Sequence, residues 1–212
     1  FGPDPKGDLA LIAAESGDVP ATWKWTAADK LFLEMVAKAH ERGMHVIIDG
    51  VFNHAGLGFF AFEDVRKNGQ NSRFNDWFIV EKWDDPATQE NEFAWHGWHG
   101  IAQLPEFAEV WTDGRGDLVP GVKNYLMAVT RRWMQPDGDV SRGVDGWRLD
   151  VAWMVPPDFW QEWNKTVREI NPNALTITEI WHEAEKTTLG GNFDATMNYE
   201  GFAMPVKGWL FD

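Results

Sequence analysis

The sequence predicts an α/β fold in which a parallel sheet is covered by helices. Three short segments rich in β-branched residues, at 44–50, 145–151 and 174–180, are bounded by turn residues and are typical of buried strands. Segments with an apolar stripe of period 3.6 precede or separate them and indicate helices. Strands that alternate with helices form parallel sheets, either doubly wound or closed as a (β/α)8 barrel.

The helices carry their own start and stop signals. Thr26 and Asp29 form a capping-box pattern before the first apolar stripe, and Gly43 is expected to end that helix. Two further helices are predicted at 121–135 and 156–170, the second ending at an Asn-Pro-Asn breaker. With the strands between them, these helices give the order α-β-insertion-α-β-α-β.

The long segment between the first strand and the second helix has no clean period. Residues 55–120 are far too long for a simple loop in a compact domain, so we expect a folded insertion with its own small core. The chain therefore divides into an α/β part at 1–54, the insertion, and the continuation of the α/β part at 121–212. Residues 1–25 and the tail after the third strand are expected to be mostly loop.

Composition excludes several classes of function. The net charge of −14 argues against nucleic-acid and anionic-membrane partners and suits a neutral or cationic ligand, although it also serves solubility alone. The chain has no cysteine, which excludes disulfides and thiolate catalysis. Its 14 Trp and 14 Phe could stack on sugar rings, but filling a core is the commoner use of an aromatic side chain. No segment resembles a membrane helix or a signal peptide, and the start looks cut from a loop.

One predicted strand carries charged residues where apolar ones are expected. In residues 145–151 alternate side chains share a face, which places Arg148 and Asp150 together, opposite an apolar set. Charges on the inner face of a buried strand are costly unless they serve a purpose. By itself, this strand could simply carry an Arg–Asp pair that braces the sheet.

The other strands make an active site the better interpretation. Asp49, Asp150 and Glu179 each lie near the carboxyl end of a predicted strand, so they should meet at one rim. A single crossover separates Asp150 from Glu179, which predicts neighbouring strands and carboxyl groups about 5–5.5 Å apart, the separation of retaining glycosidases. We expect Arg148 to keep Asp150 ionised and the apolar flanks of Glu179 to raise its pKa.

These segments resemble the signature regions of the α-amylase superfamily of glycoside hydrolases. DGVFNH (49–54), GVDGWRLDVA (143–152) and EIW (179–181) occur in the family's order, and LPEF (104–107) resembles a short signature inside the family's inserted domain. Within the superfamily the sequence looks most like the neopullulanase and cyclomaltodextrinase group. Three segments carry that similarity: TWKWTAADKLF (22–32), WHGWHG (95–100) and FDATMNYEGF (193–202). The resemblance implies a partial (β/α)8 TIM barrel, with about three of eight strands, and an inserted B domain.

The resemblance also implies a role for each matching position. Asp150 would be the nucleophile that forms a covalent glycosyl ester, and Glu179 would protonate the leaving oxygen and then activate water. The substrate, an α-1,4-linked glucan, would be bound or oriented by Arg148, His54, Asp49 and Trp181. Asn53 would brace the join to the insertion. No cofactor is expected. Some relatives bind calcium through the Asn53 position, but the sequence offers no matching carboxylate cluster and predicts no metal site.

The sequence departs from the family at its end. The fourth signature, an Asn-His-Asp segment that supplies a third acidic residue, has no match after Glu179. We therefore expect the chain to be part of a longer enzyme, and residues 1–212 alone to fold poorly and to be inactive. The preferred glucan and the compartment, cytoplasmic or exported, stay open. So does the oligomeric state, although members of this group often dimerise through an N-terminal domain.

Three other functions compete with hydrolysis. A transglycosylase of the same fold would differ only in whether a sugar or water takes the intermediate. A non-catalytic family relative, such as a partner subunit of a transporter, would have lost catalytic residues, and an α/β binding module would not need them. The presence of Arg148, Asp150 and Glu179 argues against the last two.

Overall fold

A computed structural model describes residues 2–182 and 192–211. The helices in this part of the chain are α1 (Pro5–Ala13), α2 (Ala27–His40), α3 (Phe60–Asn68), α4 (Pro120–Met134), α5 (Pro157–Ile170) and α6 (Met204–Phe211). The strands are β1 (Ile47–Val51), β2 (Val80–Lys82), β3 (Ala94–Trp95), β4 (Glu109–Thr112), β5 (Arg115–Leu118), β6 (Gly146–Asp150), β7 (Leu175–Thr178) and β8 (Ala195–Thr196). No described helix has the length and apolar character needed to cross a bilayer.

A parallel sheet with the order β1-β6-β7-β8 forms the centre of the fold. Its strands are in register, with Val51 opposite Asp150 and Leu149 opposite Thr178. The α/β fold class is confirmed, because helices alternate with the strands of this parallel sheet. Strands β6 and β7 are neighbours, as a single crossover requires. The fourth strand, β8, was not predicted because two residues are too few to give an alternating pattern.

The two faces of β6 meet different surroundings. Trp147 and Leu149 are fully buried, and the indole of Trp147 lies edge-on to Trp163 of α5, with ring centroids 6.2 Å apart. Phe52, which follows β1, packs against both of these tryptophans. This apolar side fixes the strand against its helices, and the alternation then points Arg148 and Asp150 to the opposite side.

The predicted loop at residues 1–25 is wrong where α1 forms. Asp4 caps this helix by accepting a hydrogen bond from the Gly7 amide at 3.0 Å, and Pro5 takes the first position, where a missing amide costs nothing. The Asp8 carboxylate then caps α2, accepting from the backbone amides of Ala27 at 2.6 Å and Ala28 at 3.1 Å. Pro5 and Gly7 indicated a loop, but Pro5 begins the helix and the Gly7 amide donates to its cap, Asp4.

The other helix predictions are largely confirmed. Thr26 and Asp29 form the capping box of α2, which ends at His40, and Gly43 takes the left-handed conformation that turns the chain into β1. The expectation that the tail is mostly loop is wrong for its described residues 192–211, which contain β8 and α6, while residues 183–191 of the tail lie outside the described part of the chain.

The insertion is built on aromatic packing. It contains α3 and two small antiparallel sheets, β2–β3 and β4–β5. Its buried side chains do not form the expected separate small core, because they are continuous with the core of the parallel sheet. Aliphatic residues such as Ala61, Val65 and Leu118 are buried there among many rings in mutual contact, which include Phe59, Phe60, Phe62, Phe74, Trp77, Phe78, Phe93, Trp95 and Phe107. A backbone bridge between His54 and Glu106 joins this unit to the end of β1.

Candidate active site

Three carboxylates meet around one guanidinium at the carboxyl end of the parallel sheet. Arg148 contacts Asp49 and Asp150 through Nη1, at 2.9 and 2.5 Å, and Glu179 through Nη2, at 2.8 Å. Asp49 is in β1, Asp150 is the last residue of β6, and Glu179 follows β7 directly. The side chain of Asp49 is 55% exposed, whereas those of Asp150 and Glu179 are 22% and 10% exposed. Although burial acts to lower the pKa of the Arg148 guanidinium, all three carboxylates stabilise its charge and raise that pKa, with Asp49 as its strongest single partner.

The carboxyl group of Glu179 collects further hydrogen bonds. Its Oε2 accepts from the backbone amide of Val151 at 3.2 Å, and its Oε1 accepts from the Trp181 indole and the Tyr199 hydroxyl, both at 3.1 Å. The carboxyl of Asp150 also lies within hydrogen-bonding reach of Glu179. Of the three carboxylates at the rim, that of Glu179 therefore has the most hydrogen-bond donors.

A strained residue turns the chain between the two carboxylates. Val151 has φ 36° and ψ 44°, a left-handed conformation that a β-branched side chain rarely adopts. Such a conformation costs on the order of 1–3 kcal/mol and is held by its surroundings. Here the turn aims the Val151 amide at the Glu179 side chain and the Ala152 amide at the Glu179 carbonyl, 3.2 Å away. The strain therefore fixes the end of β6 to the end of β7.

The predicted pKa directions of Asp150 and Glu179 are wrong. Burial raises the pKa of Asp150, and contact with Glu179 adds to the rise, so the lowering by Arg148 does not prevail. Burial also acts to raise the pKa of Glu179, but the hydrogen bonds from Trp181 and Val151 and the charge of Arg148 outweigh it, and that pKa lies below its usual value. The apolar flanks of Glu179 suggested a raised pKa, but one of them, Trp181, donates a hydrogen bond through its indole, and Val151 donates another from the end of β6.

His54 and Asn53 lie where the insertion leaves β1. The His54 ring stacks on Trp98, with centroids 5.6 Å apart, and burial lowers its pKa although the Asp150 charge acts the other way. The Asn53 amide donates to the Met154 carbonyl at 3.2 Å, and its oxygen lies 3.2 Å from His54 Nδ1. Asn53 thus links the segment after β1 to the segment after β6. Among the described residues, no group of three or more His, Asp or Glu side chains is arranged to hold a metal ion.

Side chains from the insertion complete one wall of the site. His99, itself in a left-handed conformation, stacks on Trp181 with centroids 6.2 Å apart and an interplanar angle of 11°. The Trp98 indole donates to the Met154 sulfur at 3.2 Å. The WHGWHG segment therefore brings flat rings to the rim that carries the carboxylates.

Sequence reasoning missed two residues that contact the site directly. Tyr199 bonds Glu179, and the Met197 sulfur accepts a hydrogen bond from Nε of Arg148 at 3.3 Å. Both follow β8, which brings them to the rim beside β7. The segment FDATMNYEGF stood out as a family likeness, but without a predicted β8 nothing placed it near Glu179.

Known proteins of one family match this chain in sequence and in fold, and these matches confirm the partial (β/α)8 barrel. Residues 25–208 match the family model for the α-amylase catalytic domain, and the chain belongs to that family. It is 38% identical over 192 residues to neopullulanase 2 of Thermoactinomyces vulgaris, covering 91% of this chain and 28% of that protein. It is 37% identical over 169 residues to a cyclomaltodextrinase of Thermoanaerobacter pseudethanolicus, covering 78% and 26%.

The fold comparison gives the same group. A debranching enzyme of Nostoc punctiforme superposes with a TM-score of 0.67 at 36% identity, covering 81% of this chain and 33% of that one. The chain thus spans about a quarter to a third of the length of these relatives. The resemblance to the α-amylase superfamily, and to its neopullulanase and cyclomaltodextrinase group, is confirmed.

Proposed function

Starting from membership of the α-amylase catalytic-domain family, we propose that this chain supplies the nucleophile and the acid/base of a retaining glycoside hydrolase that acts on α-1,4-linked glucans. One observation carries the proposal: Asp150 ends β6, Glu179 follows the neighbouring strand β7, and the single guanidinium of Arg148 binds both carboxyl groups. Carboxyl groups that share one guanidinium favour the close spacing of a retaining pair over the wider gap of about 6.5–9.5 Å that leaves room for a water in inverting enzymes.

In the proposed reaction the two carboxylates take successive roles. A carboxylate oxygen of Asp150 attacks the anomeric carbon, while Glu179 gives its proton to the glycosidic oxygen as the carbon–oxygen bond breaks. The product of this step is a glycosyl ester on Asp150. Glu179 then takes a proton from water, and the resulting hydroxide attacks the same carbon and frees the Asp150 carboxylate. The proposed reaction needs no cofactor, because the two side chains supply both the nucleophile and the proton.

The contacts of Glu179 oppose the protonation that the first step requires. Hydrogen bonds from Trp181 and Val151 and the charge of Arg148 lower its pKa and so favour its anion. A glycosidic oxygen accepts hydrogen bonds, so it favours a protonated Glu179 where Trp181 and Tyr199 favour the anion. We infer that the substrate replaces these contacts on Oε1 and so favours the protonated form of Glu179. Hydrogen bonds of catalytic groups commonly rearrange in this way on binding.

Arg148 is proposed to hold Asp150 ready for attack. Once the proton is on Glu179, the guanidinium stabilises the remaining negative charge on Asp150 at 2.5 Å. Asp49 and Met197 contact the same guanidinium from other directions and restrict its rotation. His54 and Trp181 border the pair, so we propose that they contact the sugar at the cleavage position.

The family's fourth signature, an Asn-His-Asp segment that supplies a third acidic residue, has no match after Glu179. We therefore propose that residues 1–212 alone do not hydrolyse glucans. A soluble preparation of the 212-residue chain that cleaved maltodextrin would contradict this.

The test of the function uses the protein as its gene encodes it, with maltoheptaose and β-cyclodextrin as substrates. Proton NMR at early times should show products of the α configuration, because two inversions restore the starting one. A 5-fluoroglycosyl fluoride should leave a covalent sugar on Asp150, located by mass spectrometry of its peptide. Products of the β configuration, or a label on another residue, would reject the retaining mechanism assigned to this pair.

A further inference from the structure

A polar cluster lies at the amino end of the parallel sheet, away from the catalytic rim. Asp194 comes directly before β8, Thr176 is in β7, and Arg168 is in the last turn of α5. Oδ2 of Asp194 lies 2.6 Å from Nη2 of Arg168 and accepts hydrogen bonds from the amide and the hydroxyl of Thr176, both at 2.8 Å. One carboxylate oxygen therefore joins a helix, a strand and the start of the next strand. We call these three residues the β8 clip.

The β8 clip is bonded in both directions. The Asp194 amide donates to the Thr176 carbonyl at 3.1 Å, and Nη1 of Arg168 donates to the Ala174 carbonyl just before β7. Although burial acts to raise the pKa of Asp194, the hydrogen bonds from Arg168 and Thr176 lower it below its ordinary value. Asp194 is therefore ionised in neutral solution, and hydrogen bonds to an ionised acceptor are the stronger kind.

Strand β8 has little pairing of its own. It contains two residues, which lie opposite Ile177 and Thr178 of β7, and within the described part of the chain β7 is its one neighbour in the sheet. A slip of one residue along β7 would turn every side chain of β8 to the opposite face. Because Asp194 is bound to Thr176, the residue before the first pair, the clip fixes the register of β8.

The other end of β8 reaches the catalytic pair. The Met197 amide donates to the Thr178 carbonyl at 2.8 Å, and its sulfur accepts from Nε of Arg148. Two residues further on, the Tyr199 hydroxyl donates to Oε1 of Glu179 at 3.1 Å. Both contacts with the rim therefore depend on where β8 lies along β7.

We propose that Asp194 is a positioning residue for the acid/base, because it fixes β8 so that Tyr199 reaches Glu179. This inference rests on the proposed role of Glu179 in the reaction. Among the described residues, the charged and titratable groups that face Glu179 are Arg148 and Asp150 from β6 and Tyr199 from the segment after β8. Loss of the clip would therefore act on Glu179 chiefly through Tyr199, since β6 keeps its own pairing with β1 and β7.

The test follows the pH profile of kcat/KM for maltoheptaose in the protein as its gene encodes it. Asp194→Ala should move the alkaline limb to higher pH by about 0.5–1 pH units, because Glu179 loses a hydrogen bond that favours its anion. Tyr199→Phe should move the limb in the same direction, and the double variant should move it no further than the larger single shift, since both changes remove one contact. Glu162→Ala, which removes an ion pair with Lys123 elsewhere on α5, is the matched control and should leave the limb in place.

Hydrogen exchange separates the clip from the reaction. The Met197 amide is protected by its bond to the Thr178 carbonyl, and Asp194→Ala should make its exchange about tenfold faster, the loss of roughly one hydrogen bond to a charged group. The measurement is mass spectrometry of peptides that contain Met197, and Glu162→Ala should leave this exchange unchanged. Faster exchange in a protein that hydrolyses no glucan would reject the proposed function while supporting the link between Asp194 and β8.

Three results would overturn the positioning role and keep the function. Faster exchange with an unmoved alkaline limb would make Asp194 a purely structural residue, and so would shifts that add in the double variant. Unchanged exchange and an unchanged limb, with maltoheptaose still cleaved, would show that Asp194 does not fix β8. If Asp194→Ala did not fold, Arg168→Met would take its place, with a smaller shift in the same direction expected, and a wild-type profile in folded Arg168→Met would contradict the clip.

Discussion

The parallel sheet and the insertion use different means to bring side chains to the same rim. In the sheet, regular strand pairing places Asp49, Asp150 and Glu179 at the ends of adjacent strands, where the backbone hydrogen bonds fix their spacing. In the insertion, short strands and a ring-packed core hold Trp98 and His99 against the site, and neither lies within a strand.

The difference suggests separate roles for the parallel sheet and the insertion. Regular backbone suits groups whose spacing decides the chemistry, because the approach of two carboxyl groups must be fixed within a fraction of an ångström. Flat rings on a packed support suit contacts with a sugar surface, which tolerate small shifts. The sheet would then carry the bond-breaking step, and the insertion would carry recognition of the chain.

The largest expected effect comes from removing the nucleophile on the sheet side. Asp150→Asn should lower kcat by several orders of magnitude and leave substrate binding largely intact, because the ester can no longer form. The measurement is kcat on maltoheptaose beside its affinity in the same variant. Asp113→Asn, in the exposed left-handed turn between β4 and β5 where Asn is well tolerated, is the control. Retention of more than about a tenth of the wild-type rate would make the nucleophile assignment wrong.

The next effect tests the core of the insertion. Phe62 is fully buried, with ring centroids 4.9 Å from Phe78 and 5.2 Å from Trp95. Phe62→Ala should lower the free energy of unfolding by about 3–5 kcal/mol, measured by urea denaturation. Leu31→Ala, on the exposed face of α2, should change it by less than about 0.5 kcal/mol. Equal losses would show that ring packing does not hold the insertion together.

A smaller effect sharpens the chemistry of the sheet rim. Tyr199→Phe removes a donor that stabilises the ionised form of Glu179, so the pKa of Glu179 should rise. Because Glu179 must be protonated to act as the acid, the alkaline limb of the kcat/KM profile should move to higher pH, while kcat at the optimum changes by less than about tenfold. A pH profile identical to the wild type would show that Tyr199 does not act on the acid/base.

The smallest effect concerns a helix that supports β1. Thr26→Ala removes the side-chain acceptor of the α2 capping box and should cost about 1 kcal/mol of stability, measured by urea denaturation. Thr26→Ser keeps the hydroxyl and should restore most of the loss. If serine and alanine destabilised equally, the hydroxyl would not be the source of the stabilisation.

Prediction from the sequence succeeded where local patterns are strong. The alternation of residues 145–151 identified the charged face of β6, and the single crossover identified β7 as its neighbour. It failed at α1, where Pro5 and Gly7 indicated a loop but serve as a helix start and a cap contact. It also missed β8, whose two residues carry no period. The pattern of a short element is too weak to outweigh tertiary contacts.

The sequence by itself determined that charged residues of the predicted strands reach one rim, because strand alternation and the order of elements are local properties of the chain. It placed Arg148, Asp150 and Glu179 at one edge before any contact was known. Only the tertiary structure decided how these groups affect one another. The donors to Glu179 come from Val151, Trp181 and Tyr199, and two of the three belong to segments 20 or more residues away along the chain. Together with Arg148 they lower the pKa of Glu179, against the expected direction, because a carboxyl group responds to every donor that surrounds it in space and its sequence neighbours supply only some of these.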